Sequence, residues 1–235
     1  MVLVARRREL LERLAAELRS SFHVEVDVLP ADLTLDPDVA HTELRLEQHD
    51  APIDLLVNNS GSETEHAAFR ERDRELLVAE VKLNALAVLR LTHAASRAMA
   101  LRGAGQVINV SSGNAFYPTP GAAAYGASKA FVNSITEALA HELRGTGVSI
   151  TAVCPGFTAT GAQQRLGLAS DAVPRFLWHE PVDVARQALR AAARGKVLAT
   201  LGASEAIAAS AGRHLPHRLL VLLIARAAAR LEENP

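Results

Sequence analysis

Short apolar runs alternate with stretches of helical periodicity along most of this chain, and that alternation is the strongest constraint on its fold. Residues 2–5 form a short apolar run, and residues 8–20 then place Leu10, Leu11, Leu14 and Leu18 at the spacing of an amphipathic helix. Residues 24–28 alternate toward Asp32, and a helical pattern resumes over 39–48. Residues 53–57 read as a strand ending at Asn58, and 71–101 as one long helix or two around Asn84. A buried strand is expected up to Ser111-Ser112, an Ala-rich helix from Tyr125, a strand over 148–153, a helix over 181–194 and a last strand over 196–200. Strands alternating with helices predict an α/β domain whose parallel sheet is covered on both faces. A chain of 235 residues suits one such domain, 1–235, with a less regular segment at 157–180 and a helical tail at 202–235.

The stretch with most chemical content is Tyr125-Gly126-Ala127-Ser128-Lys129. It follows the Pro118-Thr119-Pro120-Gly121 turn, so the phenol and the ammonium share one helix face, one turn apart. A lysine charge favours phenolate over phenol and is expected to move the tyrosine from its reference pKa near ~10 toward neutrality, where a general acid/base works best. By itself the spacing also fits a solvated i,i+4 pair. Ser112, at the end of a buried strand, is a candidate to hydrogen-bond a substrate oxygen, or a strand-end hydroxyl bonded to backbone. Asn84 interrupts an apolar helical face, either as a site residue or as a helix-bend or capping residue. Downstream, Cys154-Pro155-Gly156-Phe157-Thr158 closes an apolar strand with a tight turn.

In order, Asn58-Asn59-Ser60-Gly61, Asn84, Ser112, Tyr125-x-x-x-Lys129 and the Pro155-Gly156 turn with Thr158 resemble the short-chain dehydrogenase/reductase family. The resemblance runs from about Val2 to about Thr160. It implies a Rossmann-like doubly wound parallel sheet and hydride transfer between a nicotinamide and a carbonyl or alcohol. On that resemblance Tyr125 would donate or accept the proton, Ser112 would steady the substrate oxygen, and Lys129 would lower the tyrosine pKa and hold the nicotinamide ribose. Asn84 would hold a water linking Lys129 to solvent. Asn58, Ser60 and Gly61 would form the turn under the ribose, Asp32 and Leu33 the adenine contact, and Pro155, Gly156 and Thr158 would meet the carboxamide or phosphate. Asp32 also reads as a loop acid or helix cap. Arg6, with Arg7, falls where NAD-preferring relatives carry an acid; an arginine pairs with a 2′-phosphate, so NADP is the implied cofactor and NAD is less favoured. Three consecutive arginines opening a solvated helix is the plain alternative. The helices carrying Asn84 and Tyr125 form subunit contacts in many relatives, which implies a homodimer or homotetramer.

The first strand-turn-helix of the family pattern is missing. No glycine occurs before Gly61, and residues 2–5 correspond to the second strand rather than the first. In the 3-2-1-4-5-6 order the absent strand is central, so its neighbours keep unpaired edges. Each orphaned buried amide or carbonyl costs ~1–3 kcal/mol, against a typical domain stability of ~5–15 kcal/mol. The second strand is therefore expected to pair directly with the fourth, or another segment or subunit to fill the slot. Alternatively the start is an internal position of a longer natural protein. The resemblance accordingly leaves two functions open: an NADP-dependent oxidoreductase acting on an apolar ketone, aldehyde or alcohol, or a non-catalytic relative that serves only in assembly.

Composition narrows the partners. Lys and Arg number 25 against 26 Asp and Glu, so no global field draws nucleic acid or an anionic membrane. Cys154 is the only cysteine, which forbids an intrachain disulfide and fits a reducing cytoplasm. The nine histidines show no metal-ligand spacing, and no metal is expected. No apolar segment is long enough for a transmembrane helix. Phe157, Leu166, Leu168, Val173, Phe176, Leu177 and Trp178 make the region after the Pro-Gly turn apolar, suggesting a greasy substrate. The tail's run from Leu219 to Ile224, flanked by Arg218 and Arg226, fits a core helix, an oligomer contact or a membrane surface, with packing against protein favoured.

Overall fold

The computed structural model describes residues 1–63, 65–159, 178–214, 216 and 218–219. Parallel strands alternate with helices as the apolar pattern predicts. β1 (Val2–Ala5) leads through α1 (Arg8–Phe22) to β2 (Asp27–Pro30), and α2 (Asp36–Leu46) leads on to β3 (Leu55–Asn58). α3 (Arg74–Val81), a π-helical turn (Lys82–Leu86) and α4 (Ala87–Arg102) then run on to β4 (Gly105–Val110). α5 (Ala123–Glu142), β5 (Val148–Pro155), α6 (Pro181–Ala193), β6 (Leu198–Leu201) and α7 (Ala203–His214) follow, with short 3₁₀ turns at Phe69–Glu71 and Gly113–Phe116. The expected substrate-side residues Leu166, Leu168, Val173, Phe176 and Leu177, and the tail run beyond Leu219, lie outside the described residues.

The sheet is in two pieces. β1 pairs only with β2, in parallel, and a separate parallel sheet has the order β3-β4-β5-β6. The expected direct pairing of β1 with β3 is not made, and no other described strand lies between them. Instead a cavity of about 640 Å³ separates the two edges, lined by Val2, Val4, Leu55 and Val57 among others. Leu55 and Val57 are 39% and 46% exposed, so water reaches this edge. The cost is thereby converted from buried orphan amides into exposed apolar surface, a milder penalty.

Helices carry the join that the sheet lacks. Ala31, Leu33, Val39 and Leu46 share one buried cluster with Ala87, Leu91, Met99, Val107 and Ile150. At the rim of that contact Arg90 on α4 donates to both carboxylate oxygens of Glu43 on α2, at 2.8 and 2.5 Å, and to Asp36 at 3.0 Å. The opposite sheet face packs Ile108 and Val153 against Ala188, Ala191 and Ala192 of α6. Inside the larger piece a buried polar network ties strands to helices: Asn58 Nδ2 donates to Asn109 Oδ1 (2.9 Å) and Thr92 Oγ1 (3.0 Å), and Asn109 Nδ2 donates to Thr136 Oγ1 (3.0 Å). With every member partnered, the network fixes how α4 and α5 sit on the sheet.

Candidate active site

At the carboxyl ends of β3, β4 and β5 a cavity of about 670 Å³ opens between the sheet, α5 and α6. This is where open α/β sheets place their ligands. Gly61, Ser112, Tyr125, Lys129, Pro155, Gly156 and Thr158 all line it, so the structure brings together half of the residues singled out from sequence. Ser112 caps the short 3₁₀ turn Gly113–Phe116, its Oγ accepting from the Asn114 amide at 3.2 Å. Tyr125 sits in the first turn of α5, and Lys129 one turn on holds its Nζ 5.8 Å from the Tyr125 ring centroid.

Lys129 is 3% exposed, and its acceptor among the described residues is the Val110 carbonyl at 2.9 Å. Two of its three N–H groups are thus left for ligand hydroxyls. Burial brings its pKa from 10.5 down to about 8. The Tyr125 phenol moves opposite to expectation: burial pushes it above its ordinary value, hydrogen bonding to Ser112 pulls it back, and the charges of Glu63 and Glu80 raise it further. The physical reason is that desolvation penalises phenolate, while two carboxylates repel it. Tyr125 consequently keeps its proton at neutral pH.

Asn84 is fully buried in the π turn, and its amide is spent on one backbone unit: Nδ2 donates to the Ser62 carbonyl at 2.7 Å and Oδ1 accepts from the Ser62 amide at 2.9 Å. Its observed role is to staple the loop after Gly61. A Cβ at Gly61 would stand 3.2 Å from both Asn84 Oδ1 and Lys129 Nζ. Gly61→Ala is therefore expected to cost about 1–2 kcal/mol of stability and to lower turnover about tenfold by displacing Lys129. Urea unfolding and steady-state rates check this; unchanged turnover would mean that both neighbours yield freely. The loop is pinned further on, where Gly121 adopts φ +81° and a Cβ there would lie 2.6 Å from His66 Nε2.

Other expected cofactor residues stand apart from this cavity. The Asn58 side chain points into the buried network described above. Ser60 and Leu33 line the gap between β1 and β3, and Leu33 also belongs to the core. Asp32 Oδ1 accepts from the amide and hydroxyl of Thr34 at 2.9 and 2.7 Å, the loop-acid role that its sequence also allowed. Burial works against its charge, yet the Thr34 bonds and Arg6, at 3.8 Å, bring its pKa below the ordinary value. Arg7 is the exposed residue preceding α1. The sequence reading missed Glu63, which lines the cavity and pairs with His66 at 3.3 Å, and the apolar wall Val184, Ala188 and Leu189 on α6. An acid two residues past Gly61 was the only signal for the first.

The geometry defines a doubly wound α/β protein with a Ser-Tyr-Lys centre at the switch end of its larger sheet. Comparison with known proteins agrees on the fold. A family model described as short chain dehydrogenase matches residues 1–170, so the chain belongs to the short-chain dehydrogenase/reductase family of oxidoreductases. The very-long-chain 3-oxoacyl-CoA reductase of Meyerozyma guilliermondii is 32% identical over 184 residues, covering 74% of this chain and 53% of that protein. The inactive hydroxysteroid dehydrogenase-like protein 1 of Homo sapiens is 27% identical over 161 residues, covering 68% of this chain and 48% of that protein. Among solved structures, a short-chain dehydrogenase from Sphingobium yanoikuyae in complex with NADPH aligns with a TM-score of 0.78 at 32% identity, covering 97% of this chain and 84% of that one. The chain spans about half the length of the curated relatives it matches. Among the described residues no helix is long and apolar enough to cross a membrane, and no cluster of possible metal ligands occurs.

Proposed function

We propose that this chain is an NADP-dependent oxidoreductase interconverting a ketone or aldehyde with an alcohol on an apolar small molecule. The observation that carries the reading is the convergence of Ser112, Tyr125 and Lys129 on one cavity. The residues fit a nicotinamide nucleotide at one end: Gly61 leaves room beside Lys129, whose free N–H groups suit ribose hydroxyls. A bound nicotinamide would supply or accept the hydride. Tyr125 gives its phenolic proton to the substrate oxygen in reduction and takes it back in oxidation, and the Ser112 hydroxyl hydrogen-bonds the same oxygen. Val184, Ala188 and Leu189, with the Phe157 and Trp178 rings 5.7 Å apart nearby, support an apolar substrate. Exposed Arg6 at the end of β1 supports NADP over NAD. Cys154, the single cysteine of the sequence and so unable to form an intrachain disulfide, supports a cytoplasmic location, and exposed Val81, Leu86 and Phe131 support a homodimer or homotetramer through α3 to α5.

A second reading, a non-catalytic relative that serves in assembly, is favoured by the open gap beside β1, where no described glycine-rich turn is available for a pyrophosphate. Titration with NADPH followed by nicotinamide fluorescence separates the two, with sedimentation of the same sample reporting its size. Saturable binding with turnover of an apolar ketone supports the enzyme; absence of binding gives the second reading the lead.

A further inference from the structure

We infer that Glu63 selects the substrate in the catalytic cavity, and that the carbonyl compound or alcohol it favours carries a cationic amine on an otherwise apolar skeleton. The inference rests on the oxidoreductase reading, which it deepens. Among the described residues lining that cavity only Glu63 and Lys129 are charged. Lys129 is engaged with the Val110 carbonyl and stands beside Gly61, at the end that suits ribose hydroxyls. The charge of Glu63 bears on the Tyr125 phenol, whereas burial and Cys154 act on Lys129. The carboxylate therefore lies toward the phenol, where a substrate reacts, and away from the ammonium. A neutral His66 ring donates through Nδ1 to Oε1 at 3.3 Å without cancelling the carboxylate charge. Among the described residues that contact takes Oε1 and leaves Oε2 for a ligand.

The loop on either side of Glu63 is fixed, so the carboxylate is positioned before a ligand arrives. Asn84 bonds both the amide and the carbonyl of Ser62, the residue just before Glu63. Further on, the Ala67 amide donates to the Gly121 carbonyl at 3.3 Å, and a Cβ at Gly121 would lie 2.6 Å from His66 Nε2. His66 is thus seated against the turn that leads into α5. The Glu63 side chain is only 14% exposed. A neutral substrate filling the cavity would strip its remaining water without replacing the hydrogen bonds. A cationic group on the substrate offsets that cost, and a carboxylate on the substrate increases it. The apolar wall of Val184, Ala188 and Leu189 suits the skeleton, and Glu63 suits the amine.

The test measures kcat/KM with NADPH for methyl ketones ending in a trimethylammonium group, its neutral tert-butyl isostere or a carboxylate, each joined by methylene spacers of graded length. At the best spacer the parent is expected to favour the ammonium ketone over the tert-butyl ketone by about tenfold, and the tert-butyl ketone over the carboxylate by about as much. Glu63→Gln should erase that order. His66→Gln removes the pair but keeps the carboxylate, so it should retain the order. Loss of the order in both variants would trace it to the loop's conformation and overturn the proposal. A parent that reduces all three alike would also overturn it, while leaving the oxidoreductase reading in place. Binding of the same ketones to the parent and to Glu63→Gln, read by ligand-observed NMR, separates the two failures. Charge-ordered binding that needs Glu63, in a protein that reduces none of the ketones, supports Glu63 as the cation-recognising residue and removes the oxidoreductase reading. Binding without that order, or no binding, overturns the proposal.

Discussion

Replacing Tyr125 by phenylalanine is expected to lower carbonyl-reduction turnover by about 10²–10⁴-fold, the range over which a positioned acid contributes. The ring keeps its place in the first turn of α5, and Ser112 keeps the Asn114 amide as a partner, so the fold loses little. NADPH affinity should stay within a few-fold, because the lysine and the Gly61 turn remain. What disappears is the only phenolic proton in the cavity. Burial and the charges of Glu63 and Glu80 hold that proton on the oxygen at neutral pH, which suits donation to a carbonyl. The reverse reaction needs the phenolate and should therefore accelerate as pH rises through the alkaline range. Single-turnover rates with NADPH, beside circular dichroism of the variant, decide the matter. A phenylalanine variant keeping more than about a tenth of the parent rate would remove Tyr125 as the acid.

How much of this was legible beforehand differs between parts of the chain. The strands β1, β3, β4 and β5 were readable because strands covered on both faces are continuous apolar runs, and the helices because their apolar faces repeat. Ser112, Tyr125 and Lys129 lie at ends of such elements, so locating the elements located them. Asn58 was harder. Its position at a strand end was evident, but only the fold reveals that Asn109, Thr92 and Thr136 surround its amide. Asn84 interrupts an apolar face, yet nothing local announces a π turn or the two bonds to Ser62. The absent glycine turn marks where the sheet is interrupted, but the gap was expected to be closed and stays open between β1 and β3. That expectation failed because the orphan amides were assumed buried, whereas exposed Leu55 and Val57 show that water reaches that edge. The tyrosine pKa failed for a related reason: one neighbour in the sequence was weighed, while burial and two carboxylates distant along the chain decide the sign.

Lys129→Met is expected to make the cofactor-free protein more stable at pH 7 even as it removes function. A lysine whose folded pKa is about 8 instead of 10.5 pays for its burial whenever it is charged, and that penalty is about 3 kcal/mol well below pH 8. Between about pH 8 and pH 10.5 the unfolded chain binds this proton and the folded chain does not. Stability of the parent should thus rise with pH through that window, until the raised pKa of Tyr125 opposes it above its ordinary value of 10.0. Methionine fills similar space without charge, at the expense of the bond to the Val110 carbonyl, worth about 1 kcal/mol. The net gain at pH 7 is about 2 kcal/mol, and the rise between pH 8 and 10 should vanish in the variant. Urea unfolding of both proteins across that range measures it. A methionine variant less stable than the parent at pH 7, or one with the same alkaline rise, would show that the buried ammonium is compensated in the fold; otherwise the site holds a charged lysine at a loss, which a ligand's hydroxyls are placed to repay.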